Sequence, residues 1–200
     1  MAVTGLIQID TLRHIWQFSR QEFAVAMVAI LGVLGSGLLN GVLLGVALSI
    51  LLLLHRASRP RVVELGRVPG TALFADRTQR PEHERVPDVL VLRSEGSLLY
   101  FNVDHVRDRL TALLSERSVP PQLVVLFMGN VPFIDLAGTE LLIDLRATLA
   151  RRGIEFLLAE ARGQVRDALE RYGSKAVGLA EAHQTVDDVL DHWRAGVPMT

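Results

Sequence analysis

The hydrophobic and polar positions divide this chain into three zones. From Phe23 to Leu54 there is no Asp, Glu, Lys or Arg. Such a run is a transmembrane candidate, since one helix needs roughly 20 apolar residues to span the hydrocarbon core. The run is too long for one comfortable helix and short for two full ones. Gly32, Gly35, Ser36 and Gly37, followed by Asn40-Gly41, break it near its middle. It therefore predicts a tight hairpin of two short membrane helices, over 22–34 and 38–54. One long tilted helix is the alternative.

The next zone, 57–87, reads as a connector rich in Arg, Pro and charge, in which Val62-Val63-Glu64-Leu65 could add a short strand. Beyond it, 88–195 has the length of a single soluble domain. Asp88–Arg93 predicts a strand, Ser94-Glu95-Gly96 a turn, and Ser97–Phe101 a second strand paired with the first. Asn102 or Asp104 can cap a helix running to about Arg117. Gln122–Met128 is continuously apolar, as expected for a strand buried on both faces. A helix follows from Leu136 to Arg152, ended by Gly153. Then come a strand over Ile154–Ala159, a helix over Arg162–Tyr172, a short strand around Ala176–Leu179 and a helix over Thr185–Trp193. The fold class is α/β, a mixed and mostly parallel sheet with crossover helices, preceded by the membrane segment of residues 1–56.

Charge placement adds topology. Arg13, His14 and Arg20 precede the apolar run, and His55, Arg56, Arg59, Arg61 and Arg67 follow it. Basic flanks mark the cytoplasmic side, so two basic flanks require an even number of crossings or a re-entrant pair. Trp16, Phe18 and Phe23 stand where interfacial aromatics are expected. Met1 to Asp10 lacks the basic start of a signal peptide. Gly37, Gly41, Gly45 and Ser49 recur at intervals of four, a stripe that lets another helix approach closely. The run holds no ionisable residue of the kind that marks an ion path.

Several chemistries fall away. A net charge of −1 gives no electrostatic case for nucleic acid. The absence of cysteine excludes disulfides and thiol catalysis. The six histidines are scattered and none has a second at ligand spacing, so no metal or cofactor is implied. His105 with Asp104 and Asp108 fits ordinary surface pairing on a helix, and the adjacent Asp187 and Asp188 fit the solvated face of a surface helix. Gly32-Val33-Leu34-Gly35-Ser36-Gly37 lies inside the apolar run and follows no strand, so it is no phosphate loop. Nothing in the pattern supports an enzyme.

One combination of segments is specific. An apolar hairpin, an Arg-Pro exit, Leu65-Gly66-Arg67-Val68-Pro69-Gly70-Thr71, a segment ending Leu99-Tyr100-Phe101-Asn102, and Ile134-Asp135 before Gly138 occur in that order. This order resembles the C-terminal end of the SulP family of anion permeases, the sulfate permeases, which close in a cytoplasmic STAS domain. The resemblance implies a cell-membrane, multi-pass setting with the STAS domain in the cytoplasm. The implied partners are the lipid bilayer and either the remaining transporter helices or a second copy in a homodimer. It also implies a parent with a dozen or more membrane helices and a substrate site at broken helices. This stretch lacks those helices, so the expectation is a regulatory and structural part that does not transport by itself. The competing reading is a membrane-tethered STAS module that binds a protein partner without transport, and upstream coding sequence separates the two.

In the anti-sigma antagonists that this domain resembles, a Ser or Thr two residues after the Asp, just before a Gly, accepts phosphate. Here that position is Ala137, within Asp135-Leu136-Ala137-Gly138-Thr139. Thr139 could substitute only with shifted geometry, and Asp135 reads first as a helix N-cap. Some STAS domains resemble nucleotide binders. Gly129, Asn130, Asp135, Gly138 and Thr139 are accordingly the candidate anion, nucleotide or partner loop.

Overall fold

The computed structural model describes residues 16–172 and 185–196. Contacts divide the chain into two units, one ending at Arg56 and the next beginning at Ala57.

In the first unit the apolar run forms two helices, α1 (Arg20–Ser36) and α2 (Leu38–Ala57). They part at Gly37, whose φ of 88° is a left-handed value that residues with a Cβ rarely adopt. Ser19 caps α1, its hydroxyl accepting from the Glu22 N–H at 3.3 Å. The helices run antiparallel. Glu22 meets Arg56 at 3.1 Å, and a Cβ on Gly45 would lie 2.9 Å from the Ala29 side chain. Gly41 and Gly45 are the buried residues of α2, so the small-residue stripe faces α1. Ser36 and Ser49 donate to carbonyls one turn back, at 2.7 and 2.9 Å, which hides both hydroxyls on their own helices. Otherwise the pair is apolar and outward-facing, with Leu34, Leu38 and Leu39 each more than two-thirds exposed. Among the described residues, α2 is the one helix long and apolar enough to cross a membrane.

The second unit is a five-stranded sheet in the order β2-β1-β3-β4-β5. Its strands are β1 (Arg61–Arg67), β2 (Phe74–Asp76), β3 (Val89–Glu95), β4 (Leu123–Phe127) and β5 (Glu155–Ala159). The helices are α3 (Val103–Ser115), α4 (Leu136–Ala150), α5 (Gly163–Tyr172) and α6 (Val186–Arg194). Strands β3, β4 and β5 are parallel, while β1 lies antiparallel to β3 and to β2. Side chains alternate across the sheet as a period of two requires. Leu90, Leu92, Val124 and Leu126 pack under α3, α4 and α5. Val89, Val91, Leu123 and Val125 pack under α6. Both faces of β4 are therefore covered, and Leu123 through Leu126 are at most 2% exposed. This is the central strand its unbroken apolar sequence predicts.

Two expectations change. Ser97–Phe101 is not a strand paired with β3. Its one ladder contact is a single bridge from Leu98 to Ile134, and β1 takes the place beside β3. The reason is local. Asn102 Oδ1 accepts from the Leu99 N–H at 2.9 Å, while Nδ2 donates to Ser97 O at 3.0 Å and to Ala57 O at 3.1 Å. That side chain closes the segment into a turn, so Asn102 precedes α3 without capping it. Residues 57–87, expected as a connector with one short strand at Val62–Leu65, supply that strand as β1 and add a further one, β2, at the sheet edge. The strand expected around Ala176–Leu179 lies outside the described residues.

Candidate functional site

The five candidate residues fall in two places. Asp135, Gly138 and Thr139 form the start of α4 with the Leu98–Tyr100 turn. Asp135 caps the helix, Oδ1 accepting from the Gly138 N–H at 2.9 Å. Oδ2 accepts from the Tyr100 N–H at 2.8 Å, so one carboxylate ties two segments together and satisfies an amide on each. A Cβ on Gly138 would sit 2.6 Å from the Leu98 carbonyl oxygen, so the close crossing requires glycine. Thr139 is 1% exposed, and its hydroxyl donates to Asp135 O at 3.0 Å. This cluster is a joint with its polar atoms spent internally, not an open cradle.

Gly129 and Asn130 instead line a cavity of about 590 Å³ at the carboxyl ends of the parallel strands, with Glu160, Arg162, Arg166 and Thr185. Ligands of open α/β sheets bind at this end. Glu160 closes β5 with a left-handed φ of 56°. Burial, and next the charge of Asp188, push its carboxyl above the ordinary value. Asp188 is held below its ordinary value by hydrogen bonds from the Thr185 side chain and backbone. The sequence does not show Glu160 as a member, because an acid at a strand end is unremarkable until the fold brings α6 beside it.

Around Ala137 the surface is apolar. Tyr100, Phe133 and Leu136 are 74%, 52% and 51% exposed. Exposed aromatics grouped at one loop mark contact surfaces more often than scattered single residues do. With alanine at the phosphoacceptor position and Thr139 buried, no serine or threonine hydroxyl is presented for modification here. Incubating the protein with an anti-sigma-type kinase and analysing the 130–146 peptide by mass spectrometry should therefore return it unmodified. High occupancy of phosphate on Thr139 would show that the joint opens.

A second polar cluster, which no local sequence pattern marks, lies on β1. Glu64 accepts from Arg85 Nε and Nη2 at 3.0 and 3.1 Å, from Arg117 Nη2 at 2.7 Å and from Arg77 Nη1 at 3.3 Å. Burial raises the Glu64 carboxyl, but hydrogen bonds and charge from Arg85 and Arg117 outweigh it and hold the group below its ordinary value. Arg77 Nε also donates to His83 O at 2.9 Å. The cluster fastens the segment after β2, and the end of α3, to the sheet.

A mixed sheet with crossover helices and an Asp-capped helix after its central strand defines a class. The chain belongs to the STAS domain family, whose profile matches residues 80–189. It is 34% identical over 182 residues, 91% of its length, to a probable sulfate transporter of Mycobacterium tuberculosis. It is 29% identical over 178 residues, 85% of its length, to a probable sulfate transporter of Arabidopsis thaliana. The murine solute carrier 26 family member A9 anion transporter, in its inward-facing state, shares the fold over 96% of this chain, with a TM-score of 0.83 at 21% identity. The chain spans 32% of the mycobacterial relative, 28% of the plant one and 32% of the murine one.

Proposed function

We propose that this chain is the last membrane hairpin and cytoplasmic STAS domain of a SulP-type secondary anion transporter, with sulfate or a similar oxyanion as the transported class. The observation that carries the reading is one of extent. Similarity to sulfate transporters runs through the helix pair as well as the STAS domain, over 91% of the chain. The lipid-exposed leucines and charge-free length of the helices suit a bilayer, and the basic residues at both ends suit one cytoplasmic side.

The role is structural and regulatory. No charged side chain lies between Phe23 and Leu54 to hold an anion or couple it to an ion. Without an acceptor hydroxyl at Ala137, the domain acts constitutively. Its apolar rim of Tyr100, Phe133 and Leu136 docks on the transporter's membrane part or on a second copy. A tethered interaction module without transport is the second reading, supported by that same exposed rim. Reconstitution of the full chain into proteoliposomes tests the division of labour. Radiolabelled sulfate uptake should equal that of empty vesicles, and uptake above it would show that the chain is competent by itself.

A further inference from the structure

The helix pair gathers its charge at one end. Glu22 lies in the first turn of α1 and His55 and Arg56 in the last turn of α2, whereas the opposite end, around Ser36 to Asn40, carries no charged residue. At the charged end Glu22 is neutralised by Arg56 at 3.1 Å. Arg20 has no carboxylate partner among the described residues. Its guanidinium lies 5.9 Å from the centre of the Trp16 ring, which packs edge-on against Phe23 at 4.8 Å. Trp16 is 50% exposed and Phe18 89% exposed.

A guanidinium with no carboxylate partner among the described residues, set on an indole where the uncharged run begins, matches the boundary between headgroups and acyl chains. Indoles favour that depth because one edge is apolar and the other can donate a hydrogen bond. A planar guanidinium there presents paired N–H donors suited to a phosphate. We propose that Trp16 and Arg20 form an anionic-phospholipid headgroup site, in which Arg20 binds the phosphate and Trp16 and Phe18 seat against the glycerol and upper acyl region. The positive charge of Arg20 favours an anionic lipid over a zwitterionic one, by roughly fivefold for one basic residue at the surface. The inference rests on the membrane reading of the helix pair.

The test uses the full chain with Trp193→Phe, which leaves Trp16 as the one tryptophan. The protein is placed in nanodiscs of phosphatidylcholine containing a tenth phosphatidylglycerol. Bromine is carried on the acyl chains of the phosphatidylglycerol in one preparation, and on an equal amount of phosphatidylcholine in the other. Trp16 fluorescence should be quenched several-fold more strongly by the brominated phosphatidylglycerol. Arg20→Gln should make the two preparations equal, and inorganic phosphate at millimolar concentration should not. Equal quenching in the parent would overturn headgroup selection while leaving membrane insertion intact. Retained preference in Arg20→Gln would remove Arg20 as the binding residue. Loss of preference with inorganic phosphate would mean that a free anion is the ligand. No quenching by either lipid would defeat the membrane reading itself.

Discussion

Replacing Gly138 with alanine should lower the stability of the STAS unit by about 3 kcal/mol, at the upper end of what overpacking a well-packed site costs. The new Cβ would meet the Leu98 carbonyl oxygen at 2.6 Å, Ile134 Cγ1 at 2.8 Å and Leu98 Cβ at 2.9 Å. Backbone cannot rotate away as a long side chain can. Relief requires α4 to shift from the Leu98 turn, which would break the Asp135 bonds to Tyr100 and Gly138 together. For a chain of this size the midpoint of thermal unfolding should fall by about 9 °C. Gly163→Ala is the matched control. Nothing lies within 4 Å of a Cβ there, so the change should stay within about 0.5 kcal/mol. Thermal melts of the two variants, followed by circular dichroism, would separate them. Equal melting points would mean that the joint at α4 is looser than its distances imply.

Glu64→Gln should cost a similar amount, about 3 kcal/mol, because it leaves Arg77, Arg85 and Arg117 around a neutral amide. Glu64 and Arg117 are each 12% exposed at the side chain, so water screens the remaining charges poorly. The pH dependence carries its own sign. Folding holds the Glu64 carboxyl below its ordinary value, so its contribution is whole above the unfolded glutamate value. It is lost as pH falls through the depressed folded value. The Glu64 contribution to the parent should therefore be lost on acidification, and Glu64→Gln should flatten that part of the profile. Parallel profiles for parent and variant would show that the arginines are held by other partners.

Much of the sheet is legible in the sequence where burial is two-sided. Leu123 to Leu126 read as a central strand because the run is short, apolar, rich in valine and bounded by Pro120-Pro121 and Gly129. Asp135 is legible as a cap because the residues after it keep helical spacing. Ser97–Phe101 misleads for a definite reason. Its Leu-Leu-Tyr-Phe run has strand composition, yet Asn102, just beyond it, spends two of its three side-chain bonds on folding it back. The Glu64 cluster joins residues 13, 21 and 53 positions away, and no local pattern encodes separations of that kind. The candidate site divides similarly. Gly129 and Asn130 are near neighbours of Asp135 in sequence, but they follow β4 into the strand-end cavity, whereas Asp135, Gly138 and Thr139 turn toward Leu98.

In the proposed topology the apolar run is a membrane hairpin with both ends on the cytoplasmic side. The chain has no cysteine, so single cysteines can be introduced without clearing a background. Gln17→Cys, Leu39→Cys and Arg59→Cys report on the two ends and the break between the helices. A membrane-impermeant maleimide applied to intact cells and to inverted vesicles decides the topology. Residues 17 and 59 should label only from the cytoplasmic side, and residue 39 only from the outside. Labelling of 17 and 59 from opposite sides would mean a single crossing and contradict the hairpin.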